Sequence, residues 1–367
     1  MRARLWRGEL HYAGVTLHTA TSGAINGLDT LWITLDEGAE RGVGEVRLNI
    51  HYLHCYSAAQ VLDNLRSVLA GWDWSADPAT MLDSVHAADS LLLPPGCLLL
   101  DMALHDLLAR RAQQSLAAWL GGTPAFVVYP TNQTLFWGSE QQMVQQATRY
   151  VERGFTQLKL RTGVAAVSED VRRLQRLRKE FGDNLSLAID VNGQWSAQQA
   201  RDVFPQLAEL GLAYIEQPLS PADDHLLPQL TAFGVPIMLD ESLCNGLAIE
   251  RLIAAEGALW AHLKLVKCGG IRPALALARR LQQADIPFMI GQMNEGHVAT
   301  AAALQLCHAV NPIFAELYGA DGLTDDPASG LYYHQGEVLV RDSFGLGVNF
   351  DDTQALFLQE FFYATDK

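Results

Sequence analysis

The chain has 367 residues, 49% of them hydrophobic and 18% charged, which allows a large buried core and excludes an intrinsically disordered protein. This length exceeds one typical domain and accommodates a barrel of roughly 250 residues together with a second module. The formal net charge of −15 and the pI near 5.1 argue against binding to nucleic acid or to anionic membranes.

The cysteines and the first residues predict a cytoplasmic protein. The five cysteines have neither CxxC nor zinc-type spacing, which indicates buried, reduced thiols. Residues 1–7 lack the apolar core of a signal peptide. The most apolar stretch, residues 90–100, is interrupted by Pro94 and Pro95 and is too short to span a bilayer. We therefore expect no membrane partner.

Residues 1–124 are predicted to form an α+β domain. Its first part contains three strand-like runs, which are residues 2–12, 29–35 and 42–47. Residues 57–120 are instead predicted to be helical, and residues 96–120 have apolar side chains at the three- and four-residue spacing of helices. Because strands followed by helices differ from the strict alternation that comes next, this segment is expected to be a separate module.

Strands and helices alternate from residue 125 to residue 336, which is the signature of a (β/α)8 TIM barrel. The eight candidate strands are residues 125–129, 157–160, 185–189, 213–215, 236–239, 260–263, 287–290 and 313–317. Beyond the barrel, the strand-like segment Glu337–Val340 predicts that residues 337–367 return to the first domain.

Four candidate strands end in an acid or a lysine. These residues are Asp190, Glu216, Asp240 and Lys264, about 25 residues apart. A single aspartate after a strand is usually a turn residue or a helix cap, but such residues have no reason to keep the period of a barrel. Because the functional groups of a barrel lie where its strands end, the three carboxylates predict a cage of oxygen ligands for a hard divalent cation. A lysine near that cage and other cations is expected to have a lowered pKa and to act as acid or base.

Lys159 and Arg161 extend this set by one strand. Residues two apart on a strand share a face, so both side chains can point into the barrel. With these residues the chain resembles the enolase superfamily. The matching motifs are Lys159-Leu-Arg161, Ile189-Asp190-Val-Asn192, Ile215-Glu216-Gln-Pro218, Leu239-Asp240-Glu241-Ser242, Lys264-Leu-Val-Lys267-Cys-Gly269-Gly270, Met293-Asn-Glu295 and Glu316-Leu-Tyr-Gly319. The first domain, in turn, is similar to the capping domain of that family.

The resemblance is to the muconate cycloisomerase subgroup, because a lysine ends the sixth strand. The mandelate racemase subgroup instead uses a His–Asp pair, and His297 lies too far past the seventh strand to supply it. The segment Glu316-Leu-Tyr-Gly319 is closer to muconate and chloromuconate cycloisomerases than to dipeptide epimerases, which carry Asp-x-Asp at that place.

The resemblance also implies a role for each residue of the site. The cofactor is Mg2+, with Mn2+ as an alternative, and its ligands are Asp190, Glu216 and Asp240. The catalytic residues are Lys264, Lys159 and Arg161. The substrate-binding residues are Glu295, Glu316 and Asn192, the last of them beside the metal.

Arg161 departs from the Lys-x-Lys of the family, in which the second lysine usually moves the proton. Guanidinium stays protonated and is a poor base. Three interpretations stay open: Lys159 takes over on that face, Arg161 acts through its charge alone, or the chemistry relies on Lys264 alone.

We predict removal of the proton α to the carboxylate of a small acid, through a metal-stabilised enolate, by a cycloisomerase, racemase or epimerase. One alternative is a dehydratase of a hydroxy or sugar acid, because one base opposite an arginine suits elimination. Another is a metal-binding relative that has lost activity through Arg161. Specificity is expected in the loops at residues 19–27 and 48–56, and the sequence is compatible with a homo-oligomer.

Overall fold

The computed structural model describes residues 1–13, 17–19, 23–124, 126–136, 138–243, 246–255, 259–341 and 344–362. The chain begins with strands, which are β1 (Arg2–Leu10), β2 (Leu17–Thr19), β3 (Gly23–Ile25), β4 (Leu28–Glu37) and β5 (Glu40–Arg47). Helices follow, as predicted, and these are α1 (His51–His54), α2 (Ala58–Ala70), α3 (Pro78–Val85), α4 (Pro94–Arg111) and α5 (Leu116–Trp119).

The alternating region comes next. Its elements are β6 (Val128–Pro130), β7 (Gln133–Leu135), α6 (Glu140–Glu152), β8 (Gln157–Arg161), α7 (Val167–Phe181), β9 (Ser186–Asp190), α8 (Ala197–Ala208), β10 (Ile215–Glu216), α9 (Leu227–Thr231), β11 (Ile237–Leu239), α10 (Gly246–Ala254), β12 (Leu259–Lys264), α11 (Leu265–Cys268), α12 (Ile271–Gln283), β13 (Phe288–Gly291), α13 (His297–Val310) and β14 (Phe314–Glu316). The last strands are β15 (Ala328–Ser329), β16 (Leu331–His334), β17 (Glu337–Val340), β18 (Asn349–Phe350) and β19 (Leu356–Phe362).

The first domain is an antiparallel sheet covered by helices. The sheet has the order β19-β1-β4-β5. Two glycines of β5 let α4 approach the sheet closely: a Cβ at Gly42 would lie 2.2 Å from the backbone oxygen of Ala103, and one at Gly44 would lie 2.0 Å from that of Leu99. Larger side chains at these positions would therefore push the helix off the sheet.

The second domain is a nearly closed barrel of eight parallel strands in the order β7 to β14, which confirms the predicted TIM barrel. Its first strand is not the predicted one. Residues 128–130, which overlap the end of that predicted strand, form β6, which pairs antiparallel with β17, and the barrel begins with β7. Ala125, where the predicted strand began, lies outside the described residues.

An apolar layer fills the barrel below the ends of its strands. Its core is Ala188, Tyr214, Met238 and Met289, against which Trp260 and Phe314 pack. Side chains two apart on a strand share a face, so the next inward residues are the polar ones. These are Asp190, Glu216, Asp240, His262 and Glu316, with Gly291 at the corresponding place on β13. The alternation thus places a layer of mostly charged groups on top of an apolar floor.

The first domain lies over the C-terminal ends of the barrel strands, as predicted. The carboxylate of Glu45, on β5, accepts the backbone N–H groups of Gly296 at 2.6 Å and of Ala299 at 3.2 Å, where α13 begins. Arg47 donates from Nη1 to the backbone oxygen of Met293 at 2.7 Å, in the loop after β13. These contacts bind the cap to the loops around the barrel mouth.

The C-terminal segment contributes strands to the cap sheet and to a separate three-stranded sheet outside the barrel. Strand β19 pairs with β1 in the cap, whereas β17 pairs with β6 and β16. The domain boundaries after residues 124 and 336 stay predictions. Among the described residues, no helix is both long and apolar enough to cross a membrane. Cys55, Cys97, Cys268 and Cys307 are free thiols, while Cys244 lies outside the described ranges.

Candidate active site

The ends of the barrel strands form one layer of buried charges. Asp190 and Glu216 are Cα partners in the pairing of β9 with β10. Gly291 on β13 has Lys264 as its partner on one side and Glu316 on the other. The four charged side chains are almost completely buried. Each charge therefore needs an opposite charge or a hydrogen bond to offset its lost hydration.

Lys159 lies at the centre of three carboxylates. Its Nζ donates to Glu216 Oε2 at 3.0 Å, contacts the carboxylate of Glu316, and lies 3.8 Å from Asp190 Oδ2. Burial opposes the charge on Lys159, but these three carboxylates outweigh it and hold its pKa well above the ordinary value. The predicted second acid/base is thus enclosed by its counterions.

Asp240 is held by two lysines. Lys264 donates from Nζ to Asp240 Oδ2 at 2.7 Å, and Lys267 contacts the other carboxylate oxygen. Lys267 also donates to the backbone oxygens of Asp240 at 2.8 Å and of His262 at 2.9 Å, which joins the ends of β11 and β12. Burial alone would raise the pKa of Asp240, but the two ammonium groups lower it well below its ordinary value.

The predicted lowering of the pKa of Lys264 is not observed. Burial favours the neutral amine, but the carboxylates of Asp240 and Glu216 outweigh it and raise the pKa of Lys264 above its ordinary value. Besides Asp240, its Nζ contacts the Met293 sulfur at 3.4 Å, at the end of the barrel that the cap covers.

Arg161 lies nearer to the mouth than Lys159. It is the Cα partner of Asp190, its side chain is 23% exposed, and its Nη2 lies 3.9 Å from Asp190 Oδ2. Strands β8 and β12 are four apart in the eight-stranded order, so Arg161 and Lys264 stand on opposite sides of the barrel.

Asn192 orients carboxylates in this structure. Its Nδ2 donates to Asp190 Oδ2 at 3.2 Å and to Glu241 Oε1 at 3.1 Å, and its backbone N–H reaches Asp190 Oδ1 at 3.0 Å. Burial and the charges of Asp240 and Asp190 raise the pKa of Glu241 to about 7. Glu241 therefore belongs to the acid cluster, and Asn192 holds this part of it together.

Glu295 and Glu316, predicted to contact substrate, are both buried. The carboxylate of Glu295 accepts the backbone N–H of Met293 at 3.0 Å, and burial raises its pKa. Glu316 accepts from Asn132 Nδ2 at 3.2 Å and pairs with Lys159, so it lies inside the charged layer and not among the loops above it. Their substrate roles stay predictions.

His262 is a member of the layer that the sequence analysis missed. Its Nδ1 lies 2.9 Å from Glu216 Oε1 and 4.0 Å from Asp240 Oδ1. Burial and the nearby Lys264 lower its pKa well below the ordinary value. The signal was present, because His262 precedes Lys264 by two residues and so shares its face of β12.

The donor set fits a divalent cation. Possible ligand atoms of Glu216, Asp240 and His262 lie within 4.8 Å of one another. Carboxylate oxygens are the donors that hard divalent cations prefer. Asp190, the other predicted ligand, lies outside this compact set. Asn192 donates hydrogen bonds to both of its carboxylate oxygens. Two of the three predicted ligands, Glu216 and Asp240, thus lie together with His262, and the ligand set of Asp190, Glu216 and Asp240 stays a prediction.

His297 and the aromatic residues near the predicted loops have different surroundings. His297 begins α13, as expected, and its Nδ1 bonds the backbone oxygen of Ala328 at 2.7 Å. Tyr318 packs edge-on against Phe136, and Tyr56 stacks on a neighbouring histidine. The side chain of Tyr52, residue Trp137 and residues 20–22 of the predicted specificity loop lie outside the described residues.

Comparison with known proteins places this architecture in a family. Residues 142–354 match the family described as enolase C-terminal domain-like. A chloromuconate cycloisomerase from Delftia acidovorans is 34% identical over 258 residues, 69% of either chain. An N-succinyl-L-Arg/Lys racemase from Bacillus cereus is 27% identical over 256 residues, again 69% of either chain. A solved dipeptide epimerase from Methylococcus capsulatus, complexed with Mg and the dipeptide L-Arg-D-Lys, has a TM-score of 0.86 at 25% identity, covering 95% of this chain and 99% of that chain.

Fold and site together define a capped barrel enzyme whose chemistry depends on a metal ion. The chain belongs to the enolase superfamily and is similar to its muconate cycloisomerase subgroup. Its relatives include cycloisomerases, racemases and epimerases, so the predicted class of metal-dependent isomerase or lyase is confirmed.

Proposed function

We propose that this enzyme removes the proton α to the carboxylate of a small acid in an Mg2+-dependent reaction, and that Lys264 alone moves the proton. The observation that carries the proposal is the unequal placement of two lysines. Among the described residues, Lys264 at the end of β12 pairs with the carboxylate of Asp240 alone, whereas three carboxylates surround Lys159. Lys159 then serves to neutralise the acids around it.

Asp190, Glu216 and Asp240 would hold the ion, with Mn2+ as an alternative to Mg2+. Asp190 is included because it is the Cα partner of Glu216 on the neighbouring strand. A cation bound there would supply positive charge to the substrate carboxylate while negative charge develops on it.

Lys264 and Arg161 would face opposite sides of a substrate bound between them, since β12 and β8 lie across the barrel from each other. Inversion of a stereocentre needs a group on each side that can gain and lose a proton. Guanidinium cannot do so near neutral pH, but it can bind an anionic group. We therefore favour a reaction on one face, and a cycloisomerase over a racemase or epimerase.

A dehydratase of a hydroxy or sugar acid is the second candidate, and the same observation favours it. A single lysine can remove the α-proton and return it to a leaving hydroxyl on the same side. The substrates named for the relatives include chloromuconate, N-succinyl amino acids and dipeptides, all of which carry a carboxylate. This supports a carboxylate in the substrate of this chain, and reduced thiols support a cytoplasmic location.

The test is a screen of small carboxylic acids in D2O with Mg2+, in which NMR follows exchange of the α-proton. We expect one enantiomer of a responsive acid to exchange in the wild type and no exchange in Lys264→Ala. Lys179→Ala, which changes an exposed lysine on α7, is the matched control and should behave as wild type. Full exchange in Lys264→Ala would overturn the assignment, and equal exchange of both enantiomers in the wild type would contradict a single base.

A further inference from the structure

His262 is a buried side chain that the proposed reaction does not use. It lies on β12, two residues before Lys264, and its side chain has no solvent exposure. Its Nδ1 lies 2.9 Å from Glu216 Oε1. In the described part of the chain, its Nε2 has no hydrogen-bond partner. One edge of the ring therefore contacts a carboxylate, while the nitrogen of the other edge has no hydrogen bond to the described residues.

The two oxygens of Glu216 are held from opposite directions. Oε1 contacts His262, and Oε2 accepts from Lys159 at 3.0 Å. A carboxylate has about four lone-pair sites, so one donor on each oxygen leaves further sites for a cation. Two donors fix the plane of the group more firmly than one donor could, because a single contact leaves it free to rotate.

The hydrogen bond also identifies the tautomer of the ring. An ionised carboxylate can only accept, so the proton must be on Nδ1 of His262. A second proton on Nε2 would create a buried imidazolium beside the ammonium groups of Lys264 and Lys159, with no acceptor for the additional N–H among the described residues. The neutral ring with Nδ1–H is the form that fits.

Gly291 provides the room that this ring needs. A Cβ at position 291 would lie 2.1 Å from His262 Nε2, far inside van der Waals contact. Gly291 is an ordinary strand residue of β13, paired with Lys264 and Glu316, and has no positive φ that would require glycine. Its missing side chain is therefore explained by space for the histidine.

We propose that His262 is a positioning residue, which donates from Nδ1 to fix the carboxylate of Glu216 for the divalent cation. The absence of a side chain at Gly291 leaves room for the imidazole ring. This inference rests on the proposed function, because it assumes that the layer binds the cation. It assigns to the site a histidine that acts through Glu216, without contact to substrate.

Calorimetric titration with Mg2+ tests the inference without turnover. His262→Leu and His262→Asn both branch at Cγ, but only asparagine places an N–H donor, its Nδ2, at the position of the histidine Nδ1. We expect the leucine variant to bind Mg2+ at least about tenfold more weakly than wild type, and asparagine to restore affinity to within about threefold. Unchanged affinity in the leucine variant, or equal losses in both, would overturn the inference.

Two further measurements do not depend on the leucine variant being folded. Long-range 1H–15N NMR of histidine-labelled wild type should show a bare Nε2 and a protonated Nδ1 for His262, and the opposite tautomer would overturn the inference. Gly291→Ala should destabilise the wild type strongly but the His262→Asn background weakly, and equal effects would also contradict it. If the wild type itself binds no Mg2+, the proposed function fails; if it binds Mg2+ and the variants match it, only the inference fails.

Discussion

The carboxylate of Asp101, in the cap, occupies the space beside Gly270 of the barrel. A Cβ at Gly270 would lie 2.5 Å from Asp101 Cγ. Asp101 accepts the backbone N–H of Ile271 at 2.5 Å and that of Arg272 at 3.3 Å, the first two residues of α12. The cap thus supplies the N-terminal capping group that glycine cannot supply to its own helix.

The first prediction concerns this close approach. Gly270→Ala should lower the free energy of unfolding by about 1–3 kcal/mol more than Gly269→Ala, because only the former overpacks a fixed carboxylate. Both glycines have positive φ, 138° at Gly270 and 85° at Gly269, so each alanine adds backbone strain, but a Cβ at Gly269 meets nothing within 4 Å. Urea unfolding of the three proteins measures the difference. Equal losses in the two variants would show that the carboxylate can move away.

The second prediction is a pH dependence. Burial opposes ionisation of Asp101, but the charges and hydrogen bonds of His105 and His86 outweigh it and lower the pKa of Asp101 from 3.8 to about 2. A folded-state pKa below that of the unfolded chain stabilises the fold at pH values above the unfolded pKa. Ionised Asp101 should therefore contribute about 2 kcal/mol to the free energy of unfolding above pH ~4, and this contribution should be lost as the pH falls toward 2. In urea unfolding, the stability gap between wild type and Asp101→Asn should therefore shrink between pH ~5 and ~2.

Asp106→Asn is the control for that experiment. Burial raises the pKa of this carboxyl to about 6, which outweighs the effect of Arg110. A raised folded-state pKa has the opposite effect on stability. The contribution of Asp106 to the free energy of unfolding should therefore fall as the pH rises from ~4 to ~6. If the stability difference between wild type and Asp101→Asn changed between pH ~4 and ~6 instead, the lowered pKa of Asp101 would be contradicted.

The third prediction concerns the cation. Asp240→Asn should weaken Mg2+ binding by at least about tenfold, since the amide removes a negative ligand and leaves two ammonium groups beside the site. Calorimetry measures the affinity. Asp183→Asn alters a 99% exposed aspartate before β9, at the opposite end of the barrel, and should bind as wild type does. Unchanged affinity in Asp240→Asn would remove this residue from the ligand set.

The fourth prediction concerns the arginine of the mouth. If Arg161 prevents proton transfer on its face, Arg161→Lys should begin to exchange the α-proton of the enantiomer that the wild type leaves untouched. Arg161→Gln, which removes the charge without adding a base, should not. Proton NMR of each enantiomer in D2O distinguishes these outcomes. A much higher total activity in Arg161→Lys would instead show that arginine at this position impairs a site whose catalysis depends on a lysine there.

The acids of the site could be predicted because they keep the period of the fold. Asp190 and Glu216 each end a strand and Asp240 directly follows one, and parallel strands in a barrel end at one face. His262 was missed because it lies inside a strand, where its two-residue spacing from Lys264 is a weaker signal than a position at the strand end. Its meaning depends on which residue faces it from the neighbouring strands, and that register is set by the assembled barrel.

The first barrel strand was wrongly predicted for a related reason. The apolar run at residues 125–129 indicates a strand but not the sheet that this strand joins, and β6 pairs with β17. Strand β7 is short and polar, and all three of its residues are buried. Gln133 fits there because it donates from Nε2 to Asp321 Oδ2 at 2.8 Å, a partner almost 190 residues away that no local pattern reveals.

The pairing of β1 with β19 has a consequence for the order of folding. Arg2 is the Cα partner of Phe362, so the first strand of the cap receives its outer neighbour only after the entire barrel has been synthesised. Until then β1 is an unpaired sheet edge, a surface that favours aggregation. Long-range pairings of this kind also slow folding. The nascent chain therefore cannot finish its first domain before its second, and protection of that edge during synthesis becomes a requirement of this topology.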